Sequence, residues 1–239
     1  MKKIALTVAA TAVLALGANA QVLLTSTTPY TQNFNASAAV PTGWAFAEAG
    51  SNANSSFISG TGSGTAGDTY FFGTSNEWAF GGLQSGSLTP TVGASFRNNI
   101  GNPITQISIS YIGETWRVGA ASRSDRMDFQ YSLNATSLTT GTWVDVNALD
   151  YANPGQATGS GSLQHSASLS STITGLNIAS GATIWIRWLS FDASGADDGM
   201  AVDNFSLTAT AVPEPSTYAM LFTGAGLMVW VLRRKRKTS

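Results

Sequence analysis

Thr183-Ile-Trp-Ile-Arg-Trp-Leu189 is apolar at nearly every position and rich in β-branched and aromatic side chains. It reads as a central strand covered on both faces, with Trp185 and Trp188 pointing to opposite sides of its sheet. Met127-Asp-Phe-Gln-Tyr-Ser-Leu133 alternates apolar and polar residues strictly, and Ile107-Ser-Ile-Ser-Tyr111 does the same, so each is a strand with one wet face. Further strands are expected at Asp68–Phe72, Glu77–Phe80, Ala94–Asn98, Trp143–Val146, Leu163–Leu169, Ser171–Leu176 and Val202–Thr208. Turn-forming runs separate them, including Gly60–Gly67, Gly101–Pro103, Asn153–Gly155 and Ser194–Gly199. No stretch between Gln21 and Val212 carries an apolar stripe of helical period and length. The pattern predicts an all-β domain over residues 21–211, an antiparallel two-sheet sandwich of jelly-roll type. Ser51–Gly67 is low in complexity and reads as a mobile loop.

The two ends have a different character. Met1-Lys2-Lys3 is a basic start, Ile4 to Gly17 is apolar, and Ala18-Asn19-Ala20 is a small-x-small cleavage site, which predicts a secretory signal peptide over residues 1–20 and a mature chain from Gln21. At the other end, Pro213 and Pro215 hold the chain extended and cannot continue a strand ladder. The uncharged run from Tyr218 to Leu232 follows, and then Arg233, Arg234, Lys235, Arg236 and Lys237. Fifteen residues rise about 22 Å as a helix against roughly 30 Å of hydrocarbon, a gap that snorkelling cations can narrow. A terminal helix apolar all round and stopped by five cations has no polar face to give to water. The reading is one transmembrane helix over 218–232, with the basic tail on the cytoplasmic side and residues 21–212 outside.

Removing the ends changes the charge balance. All four lysines lie in the terminal segments, and the region between Gln21 and Val212 holds five arginines against twelve acids, a net −7. An acidic domain does not neutralise phosphates, which argues against nucleic acid as a partner. The chain has no cysteine, so disulfides, thiol chemistry and cysteine-based zinc sites are excluded. A domain of this size folds without such staples.

The tail Val212-Pro213-Glu214-Pro215, the short apolar span and the terminal Arg/Lys cluster together resemble the PEP-CTERM sorting signal of exported bacterial proteins. The resemblance covers residues 212–239. Together with the N-terminal signal, which calls for signal peptidase and the secretion machinery, it implies a transient single-pass stay in the inner membrane. It further implies handling by an exosortase, a membrane-embedded cysteine protease and transpeptidase that cuts near Pro-Glu-Pro, and delivery to the outer surface or beyond. Such proteins occur typically in bacteria that make extracellular polysaccharide. Within the domain, Pro41-Thr-Gly-Trp44, Gly113-Glu-Thr-Trp-Arg117, Ile186-Arg-Trp188 and Asp197-Asp-Gly-Met-Ala-Val-Asp-Asn-Phe205 look like modules of secreted bacterial β-sandwiches. The last of these also resembles the closing strand of MAM and laminin-G domains. These likenesses bear on the fold and transfer no activity.

Candidate chemistry is sparse. The only histidine, His165, lies in a polar strand without a nucleophile-elbow pattern, which argues against a serine hydrolase and against metal sites built on several histidines. A glycosidase needs two carboxylates at a groove. Glu114, beside Trp116 and Arg117, is the best placed, but the Glu-x-Asp-x-x-Glu pattern of sandwich glucanases is absent and an arginine partner is the plainer reading. Asp192, Asp197, Asp198 and Asp203 form the densest acidic group, and crowded carboxylates suit Ca²⁺. The spacing copies the ends of an EF-hand loop but lacks its glycine and terminal glutamate; a turn with side chains bonded to local amides is the alternative. Trp44, Trp78, Trp116 and Trp143 are the candidates for stacking on sugar rings if their faces are open. The expectation is a non-enzymatic envelope or matrix protein without cofactor, a structural Ca²⁺ aside, associated with polysaccharide. The alternatives are a carbohydrate-binding module and a glycoside hydrolase.

Overall fold

The computed structural model describes residues 20–123, 125–191, 193–212 and Met228. The strands among them are β1 (Val22–Leu24), β2 (Tyr30–Gln32), β3 (Trp44–Ala49), β4 (Phe57–Gly60), β5 (Asp68–Thr74), β6 (Glu77–Leu83) and β7 (Thr89–Asn98), then β8 (Ile104–Val118), β9 (Arg126–Ser132), β10 (Val144–Asp145), β11 (Tyr151–Ala152), β12 (Gly159–Ile173), β13 (Thr183–Ser190) and β14 (Gly199–Ala211). One sheet runs β1-β7-β13-β9-β10, with β3 also on β7 and β11 on β9. The other runs β12-β8-β14-β6-β5-β4, with β2 also on β14. Pairing is antiparallel except for β1 with β7 and β4 with β5, two parallel contacts that the expected all-antiparallel arrangement lacks.

The core lies between the sheets. Ile184, Ile186 and Trp188 of β13 and Phe96 of β7 meet Tyr111 of β8, Phe80 of β6, and Phe205 and Leu207 of β14. Trp188 is its hub: Tyr111, Phe129 and Phe205 approach it edge-on at centroid distances of 5.2, 5.2 and 5.8 Å. Trp185 faces the other way, as the spacing of three predicts, and is buried in a separate cluster on the outside of its sheet. Burial of a Trp or Phe is worth roughly 1.5–3 kcal/mol or more, so this aromatic layer supplies the stability that disulfides give smaller domains.

Three strand assignments differ from expectation. β12 is continuous where two strands were expected, because outward serines alternate with inward Ala167, Leu169 and Ile173 across the expected break. β8 continues through Gly113–Val118, which puts Glu114 inside a strand and not after one. Ser51–Gly67 contains β4 and is pinned at both ends. The carboxylate of Glu48 accepts the N–H groups of Asn54 and Ser55, and Tyr70 Oη donates to the Ala66 carbonyl at 2.9 Å. Of the expected signal peptide over residues 1–20 all but Ala20, of the expected span 218–232 all but Met228, and the whole basic tail Arg233–Lys237 lie outside the described residues. No helix among the described residues is long and apolar enough to cross a membrane.

Candidate functional site

The outer faces of the two sheets are finished differently. On the first, the segment between β9 and β10 folds back over the strands, and Ala135 and Leu138 bury Trp185 with Ala45, Ala47 and Trp143 against them. Arg187 fastens it, donating to the Leu138 carbonyl at 2.6 Å and to Gln130 Oε1 at 2.9 and 2.7 Å while lying 4.0 Å from the Trp143 ring centroid. The chain covers this face itself.

Among the described residues, the second sheet is covered at one end only. Tyr70, Phe72 and Trp116 stack there, Tyr70 on Phe72 at 4.7 Å and Phe72 on Trp116 at 6.5 Å, with Ala79, Leu83 and Ala201 around them. Gly62 lies on Trp116: its φ is +81° and a Cβ would come within 2.4 Å of the Trp116 carbonyl oxygen, so only glycine allows this approach.

Beyond this cap no other described residue covers the face. The alternation that buries Ile107, Ile109, Tyr111, Leu207 and Ala209 turns the intervening hydroxyls outward. Register brings Ser170 of β12, Ser110 of β8, Ser206 of β14 and Thr31 of β2 abreast, and Thr172, Ser108 and Thr208 into the next row. Neighbouring strands lie about 4.8 Å apart and successive residues of one face about 6.8 Å apart, so the hydroxyls form a grid. Ser108 and Thr172 share a 2.9 Å hydrogen bond across the strands. Two grooves lie on the grid and share Ser206 as a lining residue. One, of about 380 Å³, is lined by Thr31, Gln32, Asn33 and Asn204. The other, of about 220 Å³, is lined by Ser108, Ser110, Ser170, Thr172 and Thr208. Neither is lined by a charged side chain.

The carboxylates stand between the grid and the aromatic cap. β14 pairs with β6 up to Val202 and with β2 from Phe205, and a bulge fills the change of partner, with Asn204 in the left-handed region at φ +49°. Asp203 at this bulge is 1% exposed; Oδ2 accepts from Asn204 Nδ2 at 2.8 Å, and Oδ1 has no donor. Burial pushes its carboxyl up to about 7 against the opposing backbone N–H of Asn204, and the neighbouring Glu114 and Glu77 add to the rise. Glu114 is also raised by burial, and its Oε2 accepts from Trp116 Nε1 at 2.7 Å, so its partner is an indole and not an arginine. Asn35 donates to Glu77 Oε2 at 3.1 Å and accepts from the Trp78 N–H at 2.8 Å, tying β6 to the chain after β2.

The remaining predicted residues disperse. Asp197 and Asp198 lie in the loop just before β14, Asp203 lies within that strand, and Asp192 lies outside the described residues. Arg123 does there what a cation would do. It pairs with Asp125 at 2.6 Å and Asp197 at 3.4 Å and donates to the carbonyls of Ser194 and Ala196. Asp198 accepts from Gly119 N–H at 2.8 Å and Asn153 Nδ2 at 2.7 Å, and Asp125 accepts the Asp198 N–H at 2.7 Å. Asp197 and Asp198 are thus engaged by an arginine, an amide side chain and a backbone N–H apart from Asp203, and no group of three carboxylate or histidine side chains among the described residues could hold a metal. Arg123 and Asp125 carry this cluster and were not singled out in the sequence, because their partners come from distant loops.

Of the tryptophans, Trp44 is 4% exposed, edge-on to Phe34 and Phe205 and stacked with Trp188, so it has no free face for a sugar. Trp116 is closed by Phe72 and Gly62. Trp78 is half-buried against the core, and Trp143 has one face under Arg187. Ala20 is exposed, Gln21 Nε2 donates to Thr183 Oγ1 at 3.1 Å, and the Val212 N–H reaches the Pro103 carbonyl at 3.2 Å. Ala18, Pro213, Glu214 and Pro215 lie outside the described residues.

Residues 211–237 match the model of the PEP-CTERM protein-sorting motif. The fold is similar to carbohydrate-binding and adhesin β-sandwich modules. The K3 cleaved adhesin domain of Lys-gingipain from Porphyromonas gingivalis is 9% identical, with 75% of this chain and 96% of that one covered at a TM-score of 0.48. The CBM22-1 xylan-binding domain of Paenibacillus barcinonensis Xyn10C is 12% identical, with 77% and 95% covered at 0.33. A family 61 carbohydrate-binding module solved with β-1,4-galactotriose is 11% identical, with 70% and 88% covered at 0.34. No curated protein matches the chain.

Proposed function

We propose that the protein is an exported, non-catalytic component of a bacterial envelope or extracellular matrix, sorted by its C-terminal signal and associated with extracellular polysaccharide through the sandwich. The sorting motif at residues 211–237 carries this reading, since such a motif implies an exported, envelope-associated protein processed by exosortase. The tail passes through the inner membrane during sorting, and the domain ends outside the cell. Against hydrolysis stands the state of the two buried acids. Glu114 is engaged by an indole and Asp203 is closed off at a bulge, so neither faces a substrate groove.

Fractionation of the native bacterium tests the reading. The mature chain is expected at the cell surface or in the matrix, and a strain unable to make extracellular polysaccharide should shed it into the medium. Intact chain in the cytosol would refute export. Surface retention that is indifferent to loss of the polysaccharide would refute the association. Release of reducing sugar that is lost in Glu114→Gln would instead make it a glycoside hydrolase.

A further inference from the structure

We infer that the hydroxyl grid of β2, β14, β8 and β12 is the binding surface, and that its ligand is an extended, uncharged polysaccharide chain held by hydrogen bonds with little ring stacking. This rests on the polysaccharide reading above and adds the place and the chemical class.

Four observations carry it. The first is position: of the two outer sheet faces, one is covered by the β9–β10 segment fastened by Arg187, and the other is capped by described residues only at its aromatic end. The second is charge. The grooves are lined mainly by Ser, Thr, Asn and Gln with no cation among them, and Asp203, next to the groove residue Asn204, has Glu77 and Glu114 as neighbours, a setting that disfavours an anionic ligand and leaves a neutral one unopposed. The third is unsatisfied capacity. Ser108 and Thr172 bond each other, whereas no hydrogen bond among the described residues engages the hydroxyls of Ser110, Ser170, Ser206 or Thr208, each both donor and acceptor like a sugar hydroxyl. The fourth is shape. The two grooves share Ser206 as a lining residue and so follow one another across the sheet, an elongated arrangement that suits a chain rather than a planar crystal face. Phe205 is the one aromatic residue lining them, and its ring is in the core, so stacking is not the source of affinity. Recognition by exchangeable hydroxyls alone is weak for each contact and gains strength when many copies engage one polymer.

Affinity electrophoresis of the full chain in nonionic detergent tests the inference, with hydroxyethylcellulose, galactomannan, alginate and the host's own polysaccharide as gel-embedded probes. Retardation is expected in a neutral gel and not in alginate. The pair Ser108→Val with Ser110→Val removes two hydroxyls while keeping side chains that suit a strand, and should weaken binding roughly tenfold or more. Ser206→Glu, placing a charge at the residue both grooves share, should abolish it, and Trp143→Ala should leave it unchanged. Thermal melting of each variant separates loss of binding from loss of fold. Binding to neutral polymer that survives both grid variants would overturn the site while leaving the polysaccharide reading intact. Retardation by alginate alone would overturn neutrality. Partition into growing ice without retardation in any gel would make the ligand a planar lattice. No retardation in any gel, the host's polymer included, would bring down both.

Discussion

Replacing Asp203 by asparagine should make the protein more stable at alkaline pH. The carboxyl is buried, has one oxygen without a donor, and faces Glu77 and Glu114, so ionising it in the folded chain is unfavourable. Its affinity for a proton is raised from an ordinary value of 3.8 to about 7. The folded state therefore binds more protons than the unfolded state between those two values, and stability falls as pH rises through that window. Taken in full, the shift costs about 4 kcal/mol above pH 8, which for a domain of this size is roughly 8–16 °C in Tm. The variant side chain is isosteric, keeps an acceptor for Asn204 Nδ2, and offers a donor on the side of Glu77. Urea unfolding at pH 5 and pH 8 measures the effect. At pH 5 the two proteins should be close, and at pH 8 the variant should be the more stable, with a flatter pH profile. A residual slope should remain from Glu114 and Asp198, whose carboxyls are also raised by burial. A variant less stable than the parent at pH 8, or with an unchanged pH profile, would refute the reasoning.

Arg123→Met should destabilise by about 3–5 kcal/mol in the same urea assay, because it strips the partner from Asp125, which is 1% exposed. Trp44→Ala should cost about 3–5 kcal/mol through the cavity left among Phe34, Trp188 and Phe205. Gly62→Ala meets both a positive φ and the Trp116 carbonyl, so a loss of about 1–3 kcal/mol is expected, with increased Trp116 fluorescence quenching by acrylamide as the cap loosens.

The wet and dry faces of single strands were legible; what lies beside what was not. Ile107-Ser-Ile-Ser-Tyr111 announces that Ser108 and Ser110 point to water, and the structure agrees. That Ser170, Ser206 and Thr31 stand next to Ser110 depends on strand pairing between distant parts of the chain, which no local pattern encodes. The same applies to Arg123, whose acceptors at Ser194 and Ala196 belong to another loop. The opposite facing of Trp185 and Trp188 followed from spacing alone. β3 escaped notice because its alternation sets Trp44, Phe46 and Glu48 against alanines, which have little preference for strands. β1 and β2, of three residues each, are too short to show a period. The tryptophan readings depended on exposure, a property of the assembled core.

β14 is flanked along one side by β8 and along the other by β6 and then β2, and its last residue, Ala211, is also the first of the sorting motif. Until this strand arrives, β8 and β6 have no common neighbour and the second sheet remains two fragments with bare edges. A chain emerging from its N-terminus therefore completes its fold last at the point where its address begins. A chain whose final strand is docked carries the motif on a finished domain, and one that has failed to dock it carries the same motif on an open, aggregation-prone sheet.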